Sequence, residues 1–363
     1  MTQSNGRMSS VTNANPKVRA FFLSVFIEAA EQKGLNTAKL LREAGISPST
    51  LASPYKWVPL PRYIDLTNRV GDALGNQTLG GELGSAFSLT DLGPFYTLVT
   101  TARTVGMMLE AFMRFQRHWQ TDTNLSIKPA EERAEICYNI GDPALWPRHH
   151  DTEFTLCALV SAMRQTVSAN WRPVEILLEH DIAGREARLA EIFRAPVRGD
   201  QQYNAIVIPT SSLDMPLLMN ARLDFERLQP IVERHLLDLM GEEASDPVDV
   251  VEQTRRLITE GFGQGTIHLR AIAAALGKPE RTLRRQLAQQ GHSFRDLLQD
   301  QRMLRARQLL ESRANIPLET LAETLGYADA ASFARAFKAW NGVSPRRFAR
   351  ARRTIRGDSG PRP

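Results

Sequence analysis

Ile272-Ala273-Ala274-Ala275-Leu276-Gly277 and Leu321-Ala322-Glu323-Thr324-Leu325-Gly326 follow one pattern, with their glycines at an offset of 49. Downstream, Leu283-x-Arg285-x-Leu287 matches Phe333-x-Arg335-x-Phe337 at an offset of 50. A small alanine (Ala273, Ala322) four residues before a glycine lets two helices approach closely, and the glycine permits the backbone turn between them. Each copy therefore meets the requirements of a helix-turn-helix. A lone match of this kind is most often an ordinary helical hairpin, but duplication, spacing and local charge together reverse that reading.

The second helix of each copy carries the chemistry. In the first it begins near Pro279, suited to a first helical position, and presents Arg281, Thr282, Arg284 and Arg285 while Leu283 and Leu287 face inward. In the second, Asp329 is the expected N-cap, Phe333, Phe337 and Trp340 are expected to anchor the core, and Ala330, Ala331, Ser332 and Arg335 are expected to point outward. Arginine reads guanine bidentately in the major groove, which a solvated lysine does less specifically. Between the copies, Phe294 to Leu310 is rich in Arg and Leu and free of Gly and Pro. It predicts one helix of about 25 Å at 1.5 Å per residue. Such a strut can hold two reading helices near the ~34 Å repeat of DNA, so that both enter successive major grooves from one side.

Charge follows the same division. From Thr266 to Arg356 there are 18 Lys+Arg and 7 Asp+Glu, a net of +11, and the remainder of the chain carries a net of −6. A basic C-terminal quarter on an acidic remainder suggests a phosphate-neutralising module joined to one with another task. The whole chain, at 363 residues with 42% hydrophobic and 23% charged residues, has ordinary globular composition and enough length for two domains. Two cysteines, Cys137 and Cys157, are too few for a four-thiolate zinc site or a secreted disulfide framework, which fits a reducing cytoplasm. Met1 to Asn15 is polar without a signal core, and no window approaches the roughly 18 to 20 apolar residues of a membrane helix, so neither secretion nor a membrane partner is expected.

Glycine and proline clusters at Gly241 to Pro247 and Gly261 to Gly265 mark a linker over 241–265. The predicted layout is a disordered N-terminus (1–15), an effector-binding and dimerisation domain (16–240), the linker, a DNA-binding domain (266–356) and a disordered tail (357–363). Within the first domain, Lys17 to Gln32, Asn36 to Ala44 and Thr97 to Trp119 read as helices, and Ser53 to Pro61 as an extended connection. Ala134 to Ile140, Val174 to His180 and Ala205 to Pro209 read as strands. The fold class is thus an α+β N-terminal domain followed by an all-α domain with two helix-turn-helix units joined by a long helix. Leu228, Ile231, Val232, His235, Leu236 and Leu239 share one helical face, which packs on its own domain or on a second subunit.

Residues from about Thr266 to Arg353 resemble the DNA-binding domain of the AraC/XylS family of bacterial transcription regulators. The resemblance rests on Leu325-Gly326-Tyr327, Ser332-Phe333-x-Arg335-x-Phe337-Lys338 and the closing Gly342-Val343-Ser344-Pro345-x-x-Phe348. It implies a seven-helix bipartite domain in which Arg281 and Arg285, and Ala331 and Arg335, lie where relatives approach base edges. Base reading is assigned to Arg281, Thr282, Arg284, Arg285, Ala331, Ser332 and Arg335, and phosphate contact to Lys338, Arg346, Arg347 and Arg350. Ala330 and Ala331 depart from the longer polar residues of some relatives, which points the second helix toward gripping the backbone. Leu40-Leu41-x-x-Ala44-Gly45-Ile46, Phe193-Arg194-Ala195-Pro196-Val197, Asn204-Ala205-Ile206-Val207-Ile208-Pro209 and Leu213-Asp214-Met215-Pro216-Leu217 are similar to the arabinose-binding-type domain of a subgroup that includes ornithine-utilisation and virulence regulators. The implied partners are double-stranded DNA, a small-molecule effector, RNA polymerase as for an activator, and a second copy of the chain. The implied location is the cytoplasm, on the nucleoid when DNA is bound.

Other chemistry lacks residues to carry it. His149-His150-Asp151-x-Glu153 gathers metal-ligand types, yet adjacent helical residues point about 100° apart. Gly261-x-Gly263-x-Gly265 and Gly80-Gly81-x-x-Gly84 lack the context of a dinucleotide fingerprint, and neither a Gly-x-Ser-x-Gly elbow nor a P-loop occurs. No cofactor, metal or enzymatic activity is expected. The competing readings are an effector-responsive regulator, an effector-independent regulator whose N-terminal domain dimerises or recruits a partner, and an enzyme tethered to DNA.

Overall fold

Two separate hydrophobic cores divide the chain, one running from Val18 to Leu236 and the other from Val250 to Phe337. The computed structural model describes residues 16–142, 144–218, 225–240, 250–262, 267–312 and 316–356. The expected disordered ends, 1–15 and 357–363, lie outside them.

The first core opens with β1 (Lys17–Arg19) and α1 (Ala20–Gln32), so the helix read over Lys17 to Gln32 starts three residues late. Those three residues are held extended by antiparallel pairing with β2 (Trp57–Pro59). Between them α2 (Thr37–Glu43) is capped by Asn36, whose side chain accepts from Lys39 N at 2.9 Å. The stretch Ser53 to Pro61 is extended only in part, because Pro61 lies in the first turn of α3 (Leu60–Leu74), where its missing N–H has no helical partner to lose.

Gly80 and Gly84 are explained by packing. They lie on α4 (Leu79–Ala86), and a Cβ at either would sit 2.1 Å from the His150 carbonyl oxygen or 2.4 Å from that of Phe154. Only glycine lets the two backbones meet there. The expected helix from Thr97 to Trp119 is broken into α5 (Phe95–Thr101) and α6 (Val105–Trp119). The break has a local cause: Thr104 is extended, and its hydroxyl caps α6 by accepting from Met107 N at 3.3 Å.

A five-stranded sheet completes the domain. β3 (Thr123–Pro129), β4 (Arg133–Ile140), β5 (Glu175–Leu177), β6 (Val197–Arg198) and β7 (Asn204–Pro209) stand in the order β3-β4-β7-β5-β6, with only β5 and β6 parallel. Three of these match the expected strands, and β3 and β6 lie outside them. Alongside the sheet run α7 (His149–Thr166), whose first turns are buried, and α8 (Glu186–Phe193). The apolar face read near Leu228 belongs to α9 (Phe225–Met240), which packs on α5 and buries Leu236, while Ile231 and His235 are exposed.

Among the described residues between 250 and 356, seven helices build the second core: α10 (Val250–Glu260), α11 (Leu269–Ala275), α12 (Glu280–Gln289), α13 (Phe294–Ser312), α14 (Leu318–Thr324), α15 (Ala330–Asn341) and α16 (Pro345–Arg356). The first of them falls inside the stretch read as linker. Val250, Val251, Ile258 and Phe262 are buried in the C-terminal core, and the remaining parts of that stretch, 241–249 and 263–265, lie outside the described residues.

Candidate nucleic-acid interface

The duplicated sequence produces a duplicated turn. Gly277 and Gly326 both adopt the left-handed conformation, with φ of 61° and 72°. In each copy the residue after the glycine reaches back to the small alanine, Lys278 N to Ala273 O at 2.9 Å and Tyr327 N to Ala322 O at 2.8 Å. Both alanines are buried where the paired helices meet.

On α12, Leu283 and Leu287 are fully buried and Arg281, Arg284 and Arg285 are exposed, with Thr282 half-buried. Pro279 stands one position outside the helix, at the N-cap, and supplies no side-chain cap. On α15, Asp329 caps by accepting from Ser332 N at 2.6 Å, and Phe333 and Phe337 are fully buried. Ala331, Arg335 and Lys338 are exposed, and Ala330 and Ser332 half-buried. Arg335 Nη2 donates to the Ser332 hydroxyl at 3.1 Å, so these two side chains occupy each other.

Trp340 does not anchor the core. It is 40% exposed and its indole N–H donates to Asp300 Oδ1 at 3.2 Å. The periodicity that places it below Phe337 runs out because the helix ends at Gly342, with φ of 75°. Its place is taken by Phe348 of α16, whose ring meets Phe337 edge-on at 5.6 Å. Ser344 caps α16, and Arg346, Arg347 and Arg350 are exposed along it.

Each unit rests on a different support. α11 and α12 pack on α10, whereas α14 packs on α15, which in turn packs with α13 and α16. The strut α13 is capped by Ser293, whose hydroxyl accepts from Asp296 N at 3.1 Å. Its Arg302 donates to Gly326 O at 2.8 Å and lies over the Tyr327 ring, and its Gln299 accepts from the Tyr327 hydroxyl at 3.0 Å. The turn of the second unit is therefore fastened to the strut.

A second set of strut residues faces the N-terminal domain, and nothing in the sequence periodicity marked it. Glu179, fully buried, accepts from Arg148 Nε at 2.7 Å and Nη2 at 3.1 Å, from Arg305 Nη1 at 3.0 Å and from Gln308 Nε2 at 3.2 Å. Arg305 also donates to the Gln202 carbonyl. Burial alone would raise the Glu179 carboxyl; the guanidinium groups of Arg148 and Arg305 outweigh it and hold the group far below the usual carboxylate range. A buried charge set of this kind is sensitive to loss of one member, which strands the others. The available signals were Glu179 directly after the apolar run Ile176-Leu177-Leu178 and Arg305 on a leucine-rich helix.

The residues of His149-His150-Asp151-x-Glu153 turn to different partners. His150 Nδ1 accepts from Gly80 N at 3.3 Å, Asp151 accepts from the Tyr138 hydroxyl at 2.8 Å, and Glu153 pairs with His180 at 2.9 Å and Arg185 at 2.7 Å. Burial lowers His150 to about 4 and raises Asp151 to about 6. Among the described residues no helix is long and apolar enough to cross a membrane.

Comparison with known proteins agrees with this division. Residues 34–217 match the model of the arabinose-binding domain of AraC transcription regulator, N-terminal, and residues 272–351 match a helix-turn-helix domain. An HTH-type transcriptional regulator of Mycobacterium tuberculosis is 26% identical over 345 residues, covering 90% of this chain and 94% of its own. The ornithine utilization regulator of Pseudomonas aeruginosa is 22% identical over 330 residues, covering 91% and 95%. The crystal structure of transcriptional regulator CdpR from Pseudomonas aeruginosa aligns over 91% of this chain and 98% of its own at 22% identity, with a TM-score of 0.39. With an arabinose-binding-type domain over half its length and a duplicated helix-turn-helix module after it, the chain belongs to the AraC family of DNA-binding transcription regulators.

Proposed function

We propose that this regulator binds a bipartite DNA site through α12 and α15 and that a small effector in the N-terminal domain controls the binding through the Glu179–Arg305 contact. The observation that supports it most is the duplicated turn, with exposed arginines on the helix that follows each copy. Arg281, Arg284 and Arg285 approach base edges with Thr282 beside them, while Ala331, Ser332 and Arg335 sit against the second groove. Lys338, Arg346, Arg347 and Arg350 bind phosphates, which fix register without reading sequence. The protein acts in the cytoplasm as a homodimer that recruits RNA polymerase, and has no enzymatic activity of its own.

Control through Glu179 follows from its position. It joins the N-terminal sheet to the strut that carries the second unit. An effector shifts the arrangement only as far as its affinities for the two states differ, typically about 1 to 3 kcal/mol of coupling. Selection of DNA by the full chain from a random-sequence library tests the reading: one strongly preferred block is expected, with weaker selection about one helical turn away, and the absence of any enriched sequence would overturn it. Arg305→Met should then reduce the effect of a bound effector on DNA affinity, and an unchanged effect would move control to the 241–249 connection.

A further inference from the structure

We propose that the N-terminal domain binds an uncharged, ring-bearing molecule with a single hydrogen-bond donor, in the cleft between α1, α6, α7 and β4. This rests on the effector reading above and names the chemical class of the effector. The cleft encloses about 650 Å³ of space when its open mouth is included. Its walls are mainly aromatic: Phe22, Phe87, Phe112, Trp119 and Phe154 line it, and several of these rings meet edge to face, as Phe87 and Phe154 do at 5.8 Å. A flat ring fits among such edges and faces.

The polar groups decide what else the molecule carries. No charged side chain lines the cleft, so an ionised ligand would be desolvated without a counter-charge. Gln116 is already committed, donating to Thr123 Oγ1 at 2.9 Å and accepting from Leu125 N at 2.6 Å. Tyr138 donates to Asp151 at 2.8 Å and accepts from Gln120 Nε2 at 3.0 Å. The Thr155 hydroxyl is engaged with Tyr138, and Gln120 uses its amide N–H there, which leaves the Gln120 carbonyl oxygen as the acceptor to match one ligand O–H or N–H. A pentose carries several hydroxyls that each need a partner, and this lining does not supply them, despite the name of the matching family model.

The cleft also touches the interdomain contact. Tyr138 lines it, the Tyr138 carbonyl accepts from Asn204 Nδ2 at 3.4 Å, and Asn204 Oδ1 accepts from Glu179 N at 2.9 Å. One side chain, Asn204, thus links the backbone of Tyr138 in the cleft wall to the backbone of Glu179, whose carboxylate holds Arg305.

N-phenyl-1-naphthylamine, neutral, ring-bearing and with one N–H, is a fluorescent probe for the full-length protein. Saturable binding at one site per chain is expected, with displacement by 2-naphthol and at least tenfold weaker displacement by 2-naphthoate or L-arabinose. Ala158→Phe and Leu92→Trp, which put larger side chains into the lining at two separate places, should each weaken the probe at least tenfold; retained thermal unfolding shows that the variants fold. Gln120→Leu should abolish the preference for 2-naphthol over naphthalene. No saturable binding, or unchanged affinity in both filling variants, would overturn the site. Probe binding that leaves DNA affinity unmoved would keep this site and refute the effector reading. An effector that acts equally on wild type and both filling variants would keep that reading and refute this site.

Discussion

The two helix-turn-helix units share a backbone and differ in nearly everything attached to it. Both turn on a left-handed glycine and close on a buried alanine. The first is packed by two leucines, rests on α10 and shows three exposed arginines on α12. The second is packed by linked rings, Tyr327 to Phe333, Phe337 and Phe348, is fastened to the strut, and shows an alanine and one arginine already hydrogen-bonded to Ser332. Duplication preserves what the turn needs, while outward positions are free to diverge. Our account is that the first unit reads sequence and the second mainly holds the duplex.

The largest effect lies in the ring cluster. Phe333→Ala removes a fully buried ring and should cost about 3 to 5 kcal/mol in denaturant unfolding. If the units divide the work as described, this variant loses affinity for every DNA sequence while the preference set by α12 survives. Loss of that preference as well would show that the units are not separable.

Arg285→Ala should cost about 1 to 3 kcal/mol on a selected site and little on random DNA. Anisotropy titrations on both DNAs distinguish this from a phosphate contact, which would weaken the two equally.

Next in size are the α16 arginines. Arg346→Ala or Arg347→Ala should weaken binding to all sequences and reduce the slope of log affinity against log salt by about 1 each. An unchanged slope would remove these residues from the interface.

The caps give the smallest contrast. Asp329 is held below the usual carboxylate range by the Ser332 N–H, and the Pro279 end of α12 has no side-chain cap. A depressed carboxyl contributes stability above its unfolded pKa and loses it as pH falls through the folded value. Asp329→Asn should therefore lower the urea midpoint slightly at pH 7, with the difference shrinking toward pH 3. A difference independent of pH would assign the cap to geometry alone.

Much of this was legible in the sequence because it is local. The alanine-to-glycine spacing, the Asp329 cap and the Ser344-Pro345 helix start each depend on residues a few positions apart. What escaped depends on distance or on competition between elements. Glu179 and Arg305 are 126 positions apart, and no periodicity connects them. Thr104 breaks a continuous helical pattern because a hydroxyl cap outcompetes one more turn. α10 was hidden among breaker residues on both sides, although Val250, Val251 and Ile258 have helical spacing and pack into the second core. Trp340 keeps the period of its helix but lies at its end, where the core has closed.

The most direct test of the unequal division is parallel selection from a random-sequence DNA library with the wild type, Arg285→Ala and Arg335→Ala proteins. Arg285→Ala should erase base preference in the strongly selected block. Arg335→Ala should leave the selected sequence unchanged and lower affinity throughout. Erasure of the second block by Arg335→Ala, with the first intact, would contradict that division and make the two units equal readers.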